Sequence, residues 1–340
     1  MAVSVRDVAV AASVSVGTVS NVLNRPSKVA PATVERVMRA IEDLGFVRND
    51  AARQLRAGRS RSIGLVVLDV GNPFFAEVAR GAEARAAEDG MTVLLGNSDE
   101  RADRESAYLE LFREQRVNGV LVTPVADDLE MLHRLQSGGV PVILVDRELP
   151  GSDFGSVSVD DVEGGHLAVS HLTANGRRRI AFVSGPGKLR QVADRLEGAR
   201  RAVAECPGAS LEVIEMEGLT VLQGRAAGEV ILARDRADRP DAVFAANDLL
   251  AVGVLQALAL LADVRVPGDI ALIGYDDIDF AAATVVPLSS IRQPAHLIGY
   301  SAVDLLLKDL HDPAGDHERS IRYRPELVVR DSTVGSREPG

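Results

Sequence analysis

The sequence predicts a small all-α helix-turn-helix head followed by an α/β domain of two lobes, each built on a doubly wound parallel sheet. Residues 1–60 read as short, capped helices without a strand-like run. From residue 61 onward, apolar runs of strand length alternate with amphipathic helical stretches, a pattern typical of a parallel sheet with helices on both faces. These runs are too numerous for one small sheet, so we expect two lobes with a ligand crevice at the carboxyl ends of their strands.

The head shows clear helix-boundary signals. Ser4 and Asp7 form a capping box, Ser15 can cap a second helix after a three-residue turn, and Gly45 can end a third. The predicted helices cover 5–12, Val16–Asn24 and 31–44. Two short helices joined by a tight turn and supported by a third are typical of a DNA-binding helix-turn-helix.

The remainder of the chain carries the α/β signal. The predicted buried strands are Ile63–Leu68, Thr92–Leu95, Gly119–Val122, Val142–Val145, Ile180–Val183, Ala242–Ala245 and Ile270–Ile273. The predicted helices are Phe74–Glu88, Arg104–Gln115, Gly164–Ala174, Leu189–Val203, Leu249–Ala262 and Ala295–Leu310. Residues 49–58 are polar and fit either a short helix or a linker.

Charge and composition narrow the function classes. Residues 1–60 carry nine Lys/Arg and five Asp/Glu, a net charge of +4, whereas the whole chain carries −11. A basic head on an acidic body is expected when only the head meets phosphates. Cys206 is the only cysteine, which excludes an intrachain disulfide and a multi-cysteine metal site. Without a signal peptide or a bilayer-spanning run, we expect a cytoplasmic protein with no membrane partner.

The chain resembles the LacI family of bacterial regulators over nearly its whole length. The resemblance rests on several blocks in a fixed order rather than on any single one. In the head these are Val5-Arg6-Asp7-Val8-Ala9, Ala12-Ser13-Val14-Ser15 and Thr18-Val19-Ser20-Asn21-Val22-Leu23-Asn24. In the body they are Ile63–Val67, Asn72–Phe75, Pro141–Ile143, Asp146-Arg147, Val243–Asp248, Pro267–Asp277 and Arg324–Thr333.

The resemblance implies a homodimeric repressor of sugar-metabolism genes, released from a palindromic operator by a small sugar. Its sensor would have the fold of a type I periplasmic binding protein. The implied domains are the head at 1–48, a hinge helix or linker at 49–60, the sensor at 61–332 and a disordered tail at 333–340. Within the sensor, lobe 1 would take about 61–159 plus 290–320, and lobe 2 about 160–289 plus 321–332.

The second helix of the head would read the operator in the major groove. By resemblance, the base readers are Val16, Gly17 and Asn21, with Ser20 nearby; an Asn can pair with adenine, and an apolar side chain can pack on a thymine methyl. Thr18, Arg25 and Lys28 are assigned to phosphate contacts. In the hinge, Leu55 would wedge into the minor groove between Arg53 and Arg56.

The predicted effector pocket follows the residues of ribose-type binding proteins. Phe74 and Phe75 would form the aromatic wall, and amide, carboxylate and guanidinium groups would bind the hydroxyls. The hydroxyl-binding set is Asn72, Asp146, Arg147, Arg195, Asn247, Asp276 and Gln293, with Asp160 as a further candidate. Leu219 is a departure, because many relatives place a second stacking aromatic at this position.

Two alternatives remain open at this point. A sugar-binding protein of a transport system would explain the body but not the basic helical head. An enzyme would need a nucleophile–base pair or a cofactor motif, and we find neither; we therefore expect no catalytic residues, no cofactor and no metal. The end of the chain, Asp331–Gly340, has no Leu, no Ile and no heptad, so we expect a dimer and not a coiled-coil tetramer.

Overall fold

The structure is a computed structural model that describes residues 3–46, 60–125, 129–149, 151–187, 189–261, 264–312 and 318–334. The chain divides into two compact units, unit 1 (1–60) and unit 2 (61–340). The predicted hinge residues Arg53, Leu55 and Arg56 lie outside the described residues.

Unit 1 is a three-helix bundle with a small apolar core. Its helices are α1 (Val5–Ala11), α2 (Val16–Asn24) and α3 (Pro31–Leu44), with a 3-10 turn at Pro26–Lys28. The helix-boundary signals act as predicted: Ser4 and Asp7 form a reciprocal capping box, the Ser15 side chain accepts from the Thr18 amide, and Gly45 ends α3 at a φ of 60°. Val8, Val19 and Val37 are fully buried and fix the three helices against one another.

Unit 2 begins with alternating strands and helices. Its first elements are β1 (Ser62–Val67), α4 (Pro73–Glu88), β2 (Thr92–Asn97), α5 (Ala102–Glu114), β3 (Val120–Val122), α6 (Glu130–Ser137), β4 (Val142–Val145) and β5 (Gly155–Val159). Next come α7 (Asp161–Ala174), β6 (Arg179–Ser184), α8 (Arg190–Ala204), β7 (Ser210–Glu215), α9 (Val221–Leu232), β8 (Ala242–Ala245), α10 (Asp248–Leu261), β9 (Ala271–Asp276), α11 (Asp279–Ala282) and β10 (Ser289–Arg292). The last are α12 (Ala295–His311), β11 (Ser320–Tyr323), β12 (Glu326–Val328) and α13 (Asp331–Val334).

The strands form two separate sheets, which define the two lobes. Lobe 1 has the order β11-β5-β4-β3-β1-β2, and lobe 2 has the order β12-β10-β9-β8-β6-β7. All pairings are parallel except that of β12 with β10. Most of the predicted apolar strand runs are buried on both faces, as the sequence pattern indicates for sheets covered by helices. The run Thr92–Leu95 is the exception, because β2 is an edge strand of lobe 1 and its Leu94 and Leu95 are exposed.

The chain passes between the lobes three times, and two of these crossings differ from the prediction. The first lies at Asp160, between β5 and α7. The second follows β10, because β10 pairs with β9 in lobe 2 rather than joining lobe 1 at 290. The third follows β11, because β11 pairs with β5 and stays in lobe 1 beyond residue 320. Strand pairing, which local sequence does not encode, decides both positions.

The predicted tail also begins too early. Thr333 belongs to α13 and is buried, and its hydroxyl lies 2.8 Å from His171 Nε2 and 2.7 Å from Ser289 Oγ. The neighbouring Ser332 hydroxyl donates to the Leu272 carbonyl at 2.6 Å. These polar contacts hold α13 against lobe 2. Because the segment has no apolar run, the sequence pattern does not predict that it packs there.

Candidate functional site

The exposed face of α2 is the first candidate site. Val19 and Val22 point into the bundle, which leaves the opposite face of the helix to solvent. Val16 is 42% exposed, and Asn21 is exposed as well. A Cβ at Gly17 would meet only Ser15 Oγ, at 3.6 Å, so no packing constraint inside unit 1 demands glycine there.

The remaining predicted DNA contacts lie on or just after the same helix. Thr18 Oγ1 lies 2.9 Å from Ser15 Oγ, within the cap of α2. Ser20 accepts from Asn24 Nδ2 through its carbonyl at 2.8 Å and its hydroxyl at 3.2 Å. Arg25 and Lys28 are exposed beyond the end of the helix. The structure therefore places all seven predicted residues of unit 1 along one helix and the turn that follows it.

The second candidate site is a cavity between the lobes of unit 2, which we call the inner cavity. Its lining includes most of the predicted effector residues from both lobes. They are Asn72, Phe74, Phe75, Asp146, Arg195, Leu219, Asn247 and Asp276. The cavity measures about 40 Å³, room for only a few water molecules, so the side chains must part to admit a larger ligand.

Two sets of hydrogen bonds close the cavity from opposite lobes. Asn72 Nδ2 in lobe 1 donates to Asp276 Oδ2 in lobe 2 at 3.1 Å. Gln191 Nε2 in lobe 2 donates to the carbonyl of Asp146 at 2.9 Å and to its Oδ2 at 3.1 Å. The groups that hold the lobes together are therefore the same groups that line the cavity, and a polar ligand would replace these bonds.

The predicted aromatic wall lies at the start of α4. Asn72 Oδ1 caps this helix by accepting from the Phe74 amide at 3.0 Å, and Pro73 occupies its first position. Phe74 and Phe75 follow at once, both buried, with ring centroids 5.0 Å apart in an edge-to-face arrangement. One local motif thus presents an amide and two rings at the end of β1.

Buried charge dominates the lobe 2 side. Arg195 Nε donates to Asp161 Oδ1 at 2.8 Å, and Arg195 Nη1 lies 3.9 Å from Asp276 Oδ1. Burial raises the pKa of Asp276 and of Asp161, in both cases against the opposing effect of the Arg195 charge. Burial, together with the charge of Asp161, raises the pKa of Asp146 well above its usual range. These carboxylates need hydrogen-bond donors, and Asp146 Oδ1 has none among the described residues.

Three predicted residues lie outside the cavity lining. Arg147 and Asp160 line a neighbouring cavity of about 430 Å³, which also contacts Asp146 and Gln191. Asp160 caps α7 by accepting from the Glu163 amide at 3.0 Å. Gln293 lies behind Asp276 and donates to its Oδ1 at 2.8 Å, so it supports a lining carboxylate.

The sequence reasoning missed Gln191, Asp161, Tyr275 and Asp248. Asp248 is fully buried; it accepts from the Ser290 hydroxyl at 2.7 Å and the Ile278 amide at 2.9 Å, which fixes the loop after Asp276. Asp161 and Asp248 each directly follow a predicted site residue, a signal that could have found them. Gln191 had no such signal, because its role depends on a partner in the other lobe.

Within the described residues, no helix is long and apolar enough to cross a membrane.

Comparison with known proteins identifies both units. The family model for bacterial regulatory proteins of the lacI family matches residues 4–49, and the periplasmic binding protein-like domain matches 169–333. The HTH-type transcriptional repressor PurR of Vibrio vulnificus (strain CMCP6) is 34% identical over 337 residues, covering 97% of this chain and 98% of the relative.

Solved structures agree with this match. The Lac repressor dimer bound to operator and the anti-inducer ONPF is 25% identical, with a TM-score of 0.84 over 99% of this chain and 100% of that chain. A LacI family transcriptional regulator from Enterococcus faecium with bound ribose is 29% identical, with a TM-score of 0.72 over 81% of this chain and 100% of that chain.

Proposed function

The chain belongs to the lacI family of bacterial regulatory proteins, and from this premise we propose that a small sugar bound between the lobes of unit 2 releases it from a palindromic operator. The chain is a DNA-binding transcriptional repressor of this family, not an enzyme. The proposal concerns the effector, the genes of sugar metabolism as targets, and the residues at both sites.

The observation that carries the sugar proposal is the composition of the inner cavity. Buried Phe74 and Phe75 offer apolar faces for ring C–H groups, while Asp146, Asp276 and Asn247 offer acceptors and an amide for hydroxyls. A ligand rich in hydroxyl groups can donate to Asp146 Oδ1, which has no donor among the described residues. The cavity therefore favours a polyol.

The charge of the cavity favours an underivatised sugar over a sugar phosphate. Among the described residues, Arg195 is the only cationic side chain of the lining, and its charge is already shared with Asp161. The lining carboxylates Asp69 and Glu100 would repel a phosphate. The similarity to a regulator with bound ribose supports a pentose as the narrower proposal.

The head supports an operator role for the exposed face of α2. We assign base contacts to Val16, Gly17 and Asn21 with Ser20 beside them, and phosphate contacts to Thr18, Arg25 and Lys28. The exposed Val16 and the open space around Gly17 support close approach of α2 to DNA. A homodimer would place two such helices on a palindrome, as the operator-bound structure of the Lac repressor dimer suggests.

The effector proposal is tested by Asp276→Ala. Removing the Asp276 carboxylate should leave ligand hydroxyls and the amides of Asn72 and Gln293 unpaired, at a cost of about 1–3 kcal/mol in sugar affinity. Operator affinity should stay at the wild-type level, and the variant should remain on its operator when sugar is added. Calorimetry with pentoses measures sugar affinity, and mobility shifts with and without sugar measure operator binding. Exposed Asp279→Ala is the matched control. If only phosphorylated sugars or purines bind, or if Asp276→Ala binds sugar normally, the assignment is wrong.

The operator proposal is tested by Leu55→Ala. If Leu55 wedges into a central C-G step, its truncation should remove the kink and weaken specific binding strongly, because kinking opens a base step to gain wider contact. The thermal unfolding of unit 2 should not change. Operator shifts against wild type measure the effect, and unchanged operator affinity would exclude the wedge.

A further inference from the structure

Three contacts fix the guanidinium of Arg195: a backbone carbonyl, a carboxylate and an aromatic ring. Its side chain is buried on α8 of lobe 2, and Nη1 donates to the Ala246 carbonyl at 2.7 Å. Nε donates to Asp161 Oδ1 at 2.8 Å, and the guanidinium carbon lies 3.8 Å from the centre of the Tyr275 ring. Among the described residues, Nη2 has no hydrogen-bond partner, although Arg195 lines the inner cavity.

Close helix packing makes this arrangement possible. A Cβ on Gly165 of α7 would lie 2.0 Å from the Arg195 carbonyl, and one on Gly198 of α8 would lie 1.9 Å from the Val162 carbonyl. The two backbones therefore touch, which brings Asp161 at the start of α7 to the Arg195 side chain. A Cβ on Gly164 would lie 2.1 Å from the Tyr275 hydroxyl oxygen, so α7 also lies directly against the ring that stacks on Arg195.

The surroundings of Arg195 explain why it needs such support. Asp276 Oδ1 is only 3.9 Å from Nη1, and Asp146 is also close enough to act on the Arg195 charge. A long, flexible guanidinium side chain in this setting has several competing carboxylates. Without Asp161 and the Tyr275 ring, it could turn toward Asp276 and occupy the carboxylate that the ligand needs.

We propose that Asp161 and Tyr275 are positioning residues for the effector: together they hold the Arg195 guanidinium in one orientation that leaves Nη2 and the Asp276 carboxylate for the ligand. The inference rests on the proposed binding of a small sugar between the lobes. The ion pair sets the in-plane direction of the guanidinium, and the cation–π contact sets its plane.

The first test is a cycle of variants and deoxy sugars, measured by calorimetry on the full chain with ribose and its monodeoxy analogues as probes. Asp161→Ala should lower ribose affinity roughly tenfold or more, the usual scale for losing a hydrogen bond to a charged group. Asp161→Asn keeps an acceptor for Nε and should recover part of the loss. Tyr275→Phe keeps the ring and should bind almost as wild type, whereas Tyr275→Leu should not. Exposed Glu163→Gln on the same helix is the charge-matched control for Asp161→Asn.

Selectivity separates positioning from general damage. In Asp161→Ala and Tyr275→Leu, discrimination against the deoxy analogues that lack the hydroxyls bound by Arg195 and Asp276 should fall, while discrimination against the others persists. An equal loss for ribose and every analogue would overturn the proposal, because a merely structural role weakens all ligands alike.

A second measurement does not depend on any sugar. In arginine-labelled full-length protein, the Nε–H proton of Arg195 should give one slowly exchanging NMR signal, shifted by the Tyr275 ring current. Asp161→Ala should broaden that signal and speed its exchange with water, whereas Glu163→Gln should not. If wild type binds no pentose, the proposed effector is wrong, and this signal alone decides the role of Asp161: an unchanged signal in Asp161→Ala overturns it, and a changed one supports it.

Discussion

Two of the cleft carboxylates occupy strained backbone positions. Asp146 has a φ of 57° and Asp276 a φ of 105°, each at or just after the end of a strand. Positive φ is uncommon for residues other than glycine, and Asp and Asn tolerate it best. Such strain clusters at binding sites because the surrounding fold maintains it. In this cleft both strained residues line the inner cavity, so the strain coincides with the predicted function.

The burial of Asp146 predicts that this residue lowers the stability of the fold at neutral pH while it contributes to ligand binding. Because its pKa is raised by burial and by Asp161, the folded protein holds this proton more tightly than the unfolded chain. The contribution of Asp146 to the free energy of unfolding should therefore fall as pH rises from about 4, the ordinary pKa of an aspartate, through the raised value. Asp146→Asn removes this dependence and suits the positive φ, so it should raise the melting temperature at pH 7 while weakening sugar binding.

Thermal melts from pH 4 to pH 8 measure this effect. The gain in melting temperature of Asp146→Asn over wild type should be absent at pH 4 and should grow toward pH 8. Exposed Asp153→Asn in the same lobe is the control and should show no gain at any pH. A constant difference between Asp146→Asn and wild type across the range would contradict the proton linkage.

At the scale of elements, local signals identify where helices of unit 1 begin, whereas several strands of unit 2 lack the apolar run that identifies a buried strand. The caps at Ser4 and Ser15 and the Gly45 stop lie where the sequence predicts them. By contrast, the sequence pattern does not predict β5, β7, β10, β11 or β12; β5 and β7 show why. In β5 buried serines interrupt the apolar pattern, and β7 is an edge strand with mostly exposed residues. Neither forms the continuous apolar run that identifies a buried strand.

The cap of α2 links the stability of unit 1 to operator binding. Ser15 Oγ accepts from the Thr18 amide at 3.0 Å, and Ser15→Ala leaves that amide without its partner. We expect a loss of about 0.5–2 kcal/mol in the free energy of unfolding of unit 1, together with weaker operator binding, since α2 carries the proposed base contacts. Chemical denaturation followed by circular dichroism measures the first effect, with exposed Ser27→Ala as control. Equal stability of Ser15→Ala and wild type would show that the cap contributes nothing.

At the scale of the whole molecule, the prediction is a homodimer. A two-fold dimer presents two copies of α2, which matches the two half-sites of a palindromic operator. Light scattering of the pure protein at micromolar concentration should give twice the 36.1 kDa of one chain. A tetramer under these conditions would contradict this expectation.

Sequence alone predicts the class of each unit, the helix boundaries of unit 1 and most residues of the inner cavity. Caps, strand-length apolar runs and ordered motifs are local, and local signals survive without knowledge of the fold. The crossings between lobes, the contact of Gln191 with Asp146, and the contacts of Asp161 and Tyr275 with Arg195 became visible only in the folded chain. Each of these depends on contacts between residues distant in sequence, and such contacts are set by strand pairing and by the close approach of helices at glycines such as Gly165 and Gly198.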